Sequence, residues 1–451
     1  MTVTNRTLAQ APAARPLTPR QVGCAAMFGN AIELYDFMLY SFVAATVFGP
    51  LFFPGFEPWL GTLAALSGHA VGFLARPVGA VVFGRVGDRL GRRPALLASL
   101  LLMGVATVGV GVMPTYATIG VAAPVALVVL RLAQGLAVGG EYPGAVVVAV
   151  EHAPPGRATL YGALPQIGNM LGILLAGVSM LVTSLAVGTD TWQAWGWRVP
   201  FCASAILVLF GLALRMRLAE TPEFVEASER VAAGREEPGA LGRLLRDAHR
   251  PLLTCVLMWI GPVTFGYAFL TSLLAYVKKY EPGLSATVVQ SGLVLTAAVL
   301  VLLVLTGGLY GGRWGSGRVV IGSGLLTALW AVPSYLLIET GVPAALWLAM
   351  IIGAIGYGLF GGVVPATMAH LFPVEVRYLG VAVAIAVSTL VGGGLMPLAA
   401  LAAVGHYDGS PVPMMVMMGV AGLATLVGGV RLQRSRPRRG RPVPAAARGR
   451  S

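Results

Sequence analysis

Three carboxylates stand inside long apolar stretches of this 451-residue chain: Glu33, Asp36 and Glu141. A charge within hydrocarbon costs about 2.5–3.5 kcal/mol on insertion scales, so each is a candidate for function. A carboxyl group lining a partly dry cavity is a natural proton carrier, because the loss of water penalises its charged form. Glu33 and Asp36 are i,i+3 neighbours and Tyr40 follows at i+4, which makes one polar stripe on a helix. At about 100° per residue, Arg131, Gln134, Gly135, Glu141 and Tyr142 project within a ~120° sector of one face. Gln166 and Asn169 form another i,i+3 pair, His69 and Arg76 are seven apart, and Tyr267 lies between Thr264 and Thr271. These stripes converge most simply on a central cavity.

Arginine offers a planar fork that suits a carboxylate, which makes Arg131 the first candidate for substrate contact. Gln134, Tyr40, Tyr142, Gln166, Asn169 and Tyr267 are the further binding candidates. Arg76 precedes Pro77, a packing position, and Arg198 opens a span, an anchoring one. A fixed ion pair of Asp36 or Glu141 with Arg131 or Arg76 is the competing use of the same side chains.

Other chemistries lack their residues. Glu33 and Asp36 are paired carboxylates, yet no serine, histidine or metal cluster accompanies them in a hydrolytic arrangement. The five histidines are scattered, and Cys24, Cys202 and Cys255 show neither disulfide nor metal spacing. No GxxxxGK[ST] loop is present, so there is no built-in ATP motor. The expectation is a protein that is not an enzyme and uses no cofactor or metal.

The elements that must position these residues follow from composition. Hydrophobic residues make up 57% of the chain and charged ones only 11%, against roughly 25% charged in a soluble domain. That deficit excludes a water-covered surface, disorder and a nucleic-acid-binding domain. Apolar runs of about 20 residues, each able to cross a ~30 Å layer, recur at 21–48, 58–83, 94–113, 119–150, 158–187, 198–218, 251–277, 286–310, 317–338, 343–370, 377–404 and 411–431. Backbone groups cannot stay unpaired in hydrocarbon, so these twelve spans are helices, packed closely and bent by their glycines and prolines.

The net charge of +13 is a matter of topology. All but five of the 31 Lys and Arg fall in the tails and in the loops on one side, the exceptions being Arg76, Arg131, Arg198, Lys278 and Lys279. By the positive-inside rule both termini are cytoplasmic, at the cell (inner) membrane. Met1–Arg20 has no apolar core of a signal peptide, so the first span serves as the insertion signal. The expected organisation is a tail 1–20, a six-helix bundle 21–218, a cytoplasmic loop 219–250, a second bundle 251–431 and a basic tail 432–451. The two bundles echo one another. Gly84-Arg85-Val86-Gly87-Asp88-Arg89-Leu90-Gly91 after span two faces Gly308-Leu309-Tyr310-Gly311-Gly312-Arg313-Trp314-Gly315 after span eight. Pro155-Gly156-Arg157 likewise faces Pro373 to Arg377. Two homologous six-helix halves imply alternating access to a site between them.

The segment Gly84-x-x-x-Asp88-Arg89-x-Gly91-Arg92-Arg93 resembles the loop signature of the major facilitator superfamily at every defining position. Gly29-Asn30-x-x-Glu33-x-Tyr35-Asp36-Phe37, Ala75-Arg76-Pro77-x-Gly79, Arg131-Leu132-x-Gln134-Gly135 and Gly139-Gly140-Glu141-Tyr142 are similar to its metabolite:proton symporter branch. So are Trp195-Gly196-Trp197-Arg198-x-Pro200-Phe201 and Glu220-Thr221-Pro222-x-Phe224, with Leu371-Phe372-Pro373-x-x-x-Arg377 in the second half. One departure stands out: Gly312 occupies a position where the second signature often carries an acid.

The resemblance implies an all-α membrane protein of twelve helices in two pseudo-symmetric bundles. It also implies proton-coupled uptake, as a monomer in the bilayer, of a small organic acid or zwitterionic solute. Asp88 suits the N-terminus of a helix, whose dipole favours an anion. Arg89, Arg92 and Arg93 can reach Glu151, and Arg313 can reach Glu375. Together with Gly84, Gly91 and Arg377 these residues are the expected cytoplasmic gate. An exporter of the same superfamily and a membrane sensor without transport are the competing readings. Span five, Pro165 to Gly172, lacks the Gly-Pro-rich signature that such exporters often carry.

Overall fold

The computed structural model describes residues 18–90, 92–139, 141–216, 240–280, 283–373 and 376–435. Among them run twelve helical segments: α1 Pro19–Phe52, α2 Pro58–Leu90, α3 Arg92–Val112, α4 Ala122–Glu151, α5 Ala158–Val187 and α6 Arg198–Met216. The second set is α7 249–280, α8 Ala286–Trp314, α9 Ser316–Glu339, α10 Pro343–Leu371, α11 377–406 and α12 Val412–Ser435. No strand occurs among the described residues. Eight segments are individually long and apolar enough to cross a membrane. Thr189–Gly196, bent by 58° against α6, makes a ninth with it, and α3 keeps a shorter apolar stretch, Leu97–Val112. Several helices outrun the apolar runs that specify them: α2 continues to Leu90 and α8 to Trp314. A helix satisfies its own backbone and need not stop where the hydrocarbon does. Part of the segment 219–250 is also helical, Ala240–Asp247.

The outer face is apolar, as a bilayer solvent demands: Leu74, Val105, Ile206 and Leu329 are each more than half exposed. The helix pairs of one half recur in the other with the helix number raised by six. In the first half α1 packs on α5, α2 on α4 and α3 on α6; in the second, α7 packs on α11, α8 on α10 and α9 on α12. The contacts between halves obey the same rule, α5 against α8 and α11 against α2.

The sequence motifs turn out to be joints of this scaffold. Tyr35 donates to the carbonyl of Pro200 at 3.0 Å, which ties α1 to the start of α6. Trp197 packs edge-on against Phe48 and Phe52, at ring separations of 5.1 and 6.2 Å. On α4, Gly135 lies directly on the carbonyl of Gly72 in α2, where a Cβ would overlap it. Helices α1, α7 and α11 each widen into a π-turn, at Ala44–Phe48, Ala268–Ser272 and Thr389–Leu395. Such turns recur at functional sites because they re-aim the side chains around them.

The halves touch at both ends. At the end that carries the α1 start, the Arg377 guanidinium of α11 meets the Glu151 carboxylate of α4 at 2.9 Å. At the opposite end, Lys278 donates to the Thr46 carbonyl, Ser184 bonds Gln290 at 3.3 Å, and Trp59 packs on Tyr280 at 5.3 Å. The halves are thus in contact on both sides of the middle.

Candidate functional site

Four helices bring one chain of polar side chains to mid-depth. Asp36 on α1 is 2% exposed, and its Oδ2 lies 2.8 Å from the Thr107 hydroxyl of α3. Gln134 on α4 donates through Nε2 to the same hydroxyl at 2.6 Å and accepts through Oε1 from Arg131 at 2.8 Å. Arg131, fully buried, also donates to the Gly68 carbonyl of α2 at 3.5 Å. Its guanidinium lies over the rings of Tyr40, 3.9 Å, and Phe37, 4.6 Å. Tyr40 spends its hydroxyl on the Ala65 carbonyl at 2.9 Å. Asp36 and Arg131 are therefore linked through two intermediaries, Thr107 and Gln134. Thr107 was not among the sequence candidates, and its only signal there is a hydroxyl in the apolar stretch Leu97–Val112.

A second cluster spans the two halves. Tyr142 on α4 donates to Gln166 Oε1 on α5 at 2.8 Å, and Asn169 donates to the same oxygen at 3.2 Å. Tyr357 of α10, a residue the sequence did not mark, lies beside Gln166. Trp259 of α7 packs on Tyr142 at 6.2 Å and on Phe360 of α10 at 5.3 Å. Glu33, 4% exposed, lies within electrostatic range of Tyr142 and Tyr267. The clusters meet at Tyr267, whose ring packs edge-on to Phe37 at 6.3 Å and Phe73 at 5.2 Å.

The α4 stripe is accordingly not one wall. Its described stretches Ala122–Val138 and Glu141–Glu151 serve different clusters. Arg131 and Gln134 pack within the first half, whereas Tyr142 faces the second. Glu141, 8% exposed, opens the second part of α4.

The gate residues are placed only in part. Among the described side chains Glu151 pairs with Arg377; its expected partners, the loop arginines, lie outside them. Gly91 and Glu375 lie outside the described residues, and so does the side-chain placement at Gly84, Asp88, Arg89, Arg92 and Arg93 and at His69 and Thr271. Arg313 and Gly312 line a surface hollow of about 340 Å³ with Arg318 and Gln433. Arg198 reaches the Met113 carbonyl at 3.3 Å and lies over the Trp197 ring at 4.3 Å, an anchor at the end opposite Glu151.

The family model for the Major Facilitator Superfamily matches residues 28–377. The chain belongs to the major facilitator superfamily. It is 35% identical to the inner membrane metabolite transport protein YhjE of Escherichia coli K12 over 406 residues, 87% of this chain and 91% of that one. It is 33% identical to the proline/betaine transporter of the same strain, over 95% of this chain and 86% of that one. It is 32% identical to the strain's shikimate transporter, over 87% and 89%. The fold matches the crystal structure of the D-xylose-proton symporter with a TM-score of 0.69 at 16% identity, over 93% of this chain and 98% of that one. This superfamily member is a membrane transport protein for small metabolites and not an enzyme.

Proposed function

We propose that the chain takes up a small polar metabolite together with protons, by alternating access, across the cytoplasmic (inner) membrane. The substrate carries a carboxylate, as an organic acid or a zwitterionic solute. The observation that carries this reading is the buried chain Asp36–Thr107–Gln134–Arg131. Thr107 has one hydroxyl hydrogen and two acceptors in reach, Asp36 Oδ2 at 2.8 Å and the Met103 carbonyl at 2.9 Å. While Asp36 is ionised, the hydrogen belongs to the carboxylate. Once Asp36 takes a proton, Thr107 can turn its hydrogen to Met103, and the change reaches Arg131 through Gln134. A protonation event is thereby coupled to side chains on α3 and α4. Coupling follows if proton and substrate each favour the same arrangement of the halves.

Two features of the family reading support it. Among the described residues, the buried charged side chains all lie in the first half, so the second half supplies no buried acid. Curated relatives are named for proline, betaine and shikimate, which share a carboxylate. In this reading the Glu151–Arg377 end is cytoplasmic, both termini lie there, and the chain works as a monomer.

The experiment is uptake into proteoliposomes of labelled glycine betaine, proline and shikimate under an imposed inward proton gradient. Accumulation of one of them, abolished by a protonophore, is the expected result. Gradient-independent uptake, or export only, overturns the reading.

A further inference from the structure

We propose that Arg76 of α2, and not Arg131, is the cation that holds the substrate's carboxylate, with Arg131 acting as a positioning residue behind it. This rests on the carboxylate-bearing substrate argued above.

Arg76 lies within the apolar run 58–83 of α2, hence inside the membrane span. Leu74, Val78 and Val82, at 63, 56 and 45% exposure, mark the lipid face of this helix. Arg76 is two residues from both Leu74 and Val78, about 200° around the helix, so it points away from lipid. Phe73, one turn before it, points the same way and packs edge-on against Tyr267 of the second half. The part of Arg76 that is left uncovered therefore opens between the halves.

Its guanidinium lies over the rings of Phe37 and Phe73, at 4.7 and 4.8 Å. Those rings give the cation a partner of the quadrupole type but accept no hydrogen bond in the plane of the fork. Nε is buried with no acceptor, and the side chain makes no hydrogen bond or ion pair among the described residues. A permanently charged fork held inside a membrane span without an acceptor is costly. A planar carboxylate bound between the halves is the group whose geometry completes it.

Arg131 differs in each respect. It is fully buried, and its donors already serve Gln134 and the Gly68 carbonyl. The two guanidinium groups share the Phe37 ring, at 4.7 and 4.6 Å. A carboxylate arriving at Arg76 would therefore be felt at Arg131 and along the chain to Asp36.

The test uses full-length protein in detergent, with glycine betaine, proline and shikimate each beside its carboxamide, and affinity read from thermal stabilisation. Wild type is expected to prefer at least one acid over its amide. Arg76→Gln should weaken that acid about tenfold to a hundredfold while leaving the amide unchanged, so that the preference vanishes. A preference that survives in Arg76→Gln overturns the proposal and leaves the transport reading standing. Should that variant not fold, wild-type protein is treated with phenylglyoxal and Arg76 modification followed by mass spectrometry. Protection by the acid but not the amide supports the proposal; a rate indifferent to the acid overturns it. If none of the three acids stabilises wild type, the carboxylate reading itself falls, and this inference with it.

Discussion

The Thr107 hydroxyl lies 2.8 Å from Asp36 Oδ2, and both side chains are fully enclosed, on helices that are neighbours in space but 71 residues apart in sequence. That contact makes Asp36 responsive: its ionisation decides where the Thr107 hydrogen goes, and Gln134 reads the outcome at 2.6 Å. A buried acid with a neutral, rotatable partner can change charge at lower cost than one locked to a cation, whose partner would be left uncompensated.

Asp36→Asn should abolish accumulation driven by a proton gradient while leaving substrate exchange measurable. Asparagine keeps the shape and the contact with Thr107 but cannot carry a proton. Parallel assays of gradient-driven uptake and counterflow in proteoliposomes check this, and wild-type accumulation in the variant would refute it.

Thr107→Val removes one hydroxyl and adds a methyl of similar size. It deprives Asp36 Oδ2 and Gln134 Nε2 of their common partner. A hydrogen bond to a charged group is worth about 1.5–3 kcal/mol, so proton-driven uptake should fall about tenfold or more with the fold intact. Circular dichroism and the uptake rate together separate that outcome from misfolding.

Glu151→Gln breaks the Arg377 pair, whose side chains are 39 and 20% exposed respectively. An exposed or half-exposed pair contributes about 0.2–1 kcal/mol, so the closed arrangement at this end should lose about twofold to fivefold in population. Cysteine probes near residue 158 should label faster, while substrate affinity in detergent changes little. Unchanged labelling would remove the pair from the gate.

Gly312→Asp restores the acid that the second loop signature lacks. The site has room, since a Cβ there meets only the Thr159 hydroxyl, at 3.5 Å. Thr159 lies in the first turn of α5, where a carboxylate gains about 0.3–1 kcal/mol from the helix dipole. The variant should fold normally and label more slowly than wild type at the Glu151 end. Faster labelling would show that the missing acid has no such role.

Composition and the recurrence of apolar runs are enough to specify twelve helices, because a bilayer leaves the backbone no other way to satisfy itself. The echo between the two loop signatures specifies two equivalent halves, and the structure repeats it pair by pair in its helix contacts. The buried acids of α1 announce themselves, since a charge in an apolar run is too costly to be incidental. What the sequence could not decide is which neighbours those charges meet. Thr107 is one hydroxyl among apolar residues, and nothing local says that it stands between Asp36 and Gln134. Arg76 and Arg131 look alike as letters in apolar helices. Only packing shows one with its donors engaged and the other with a buried Nε that meets no acceptor. Helical periodicity fixes the direction of a side chain relative to its own axis. The identity of whatever lies in that direction belongs to helices far away along the chain.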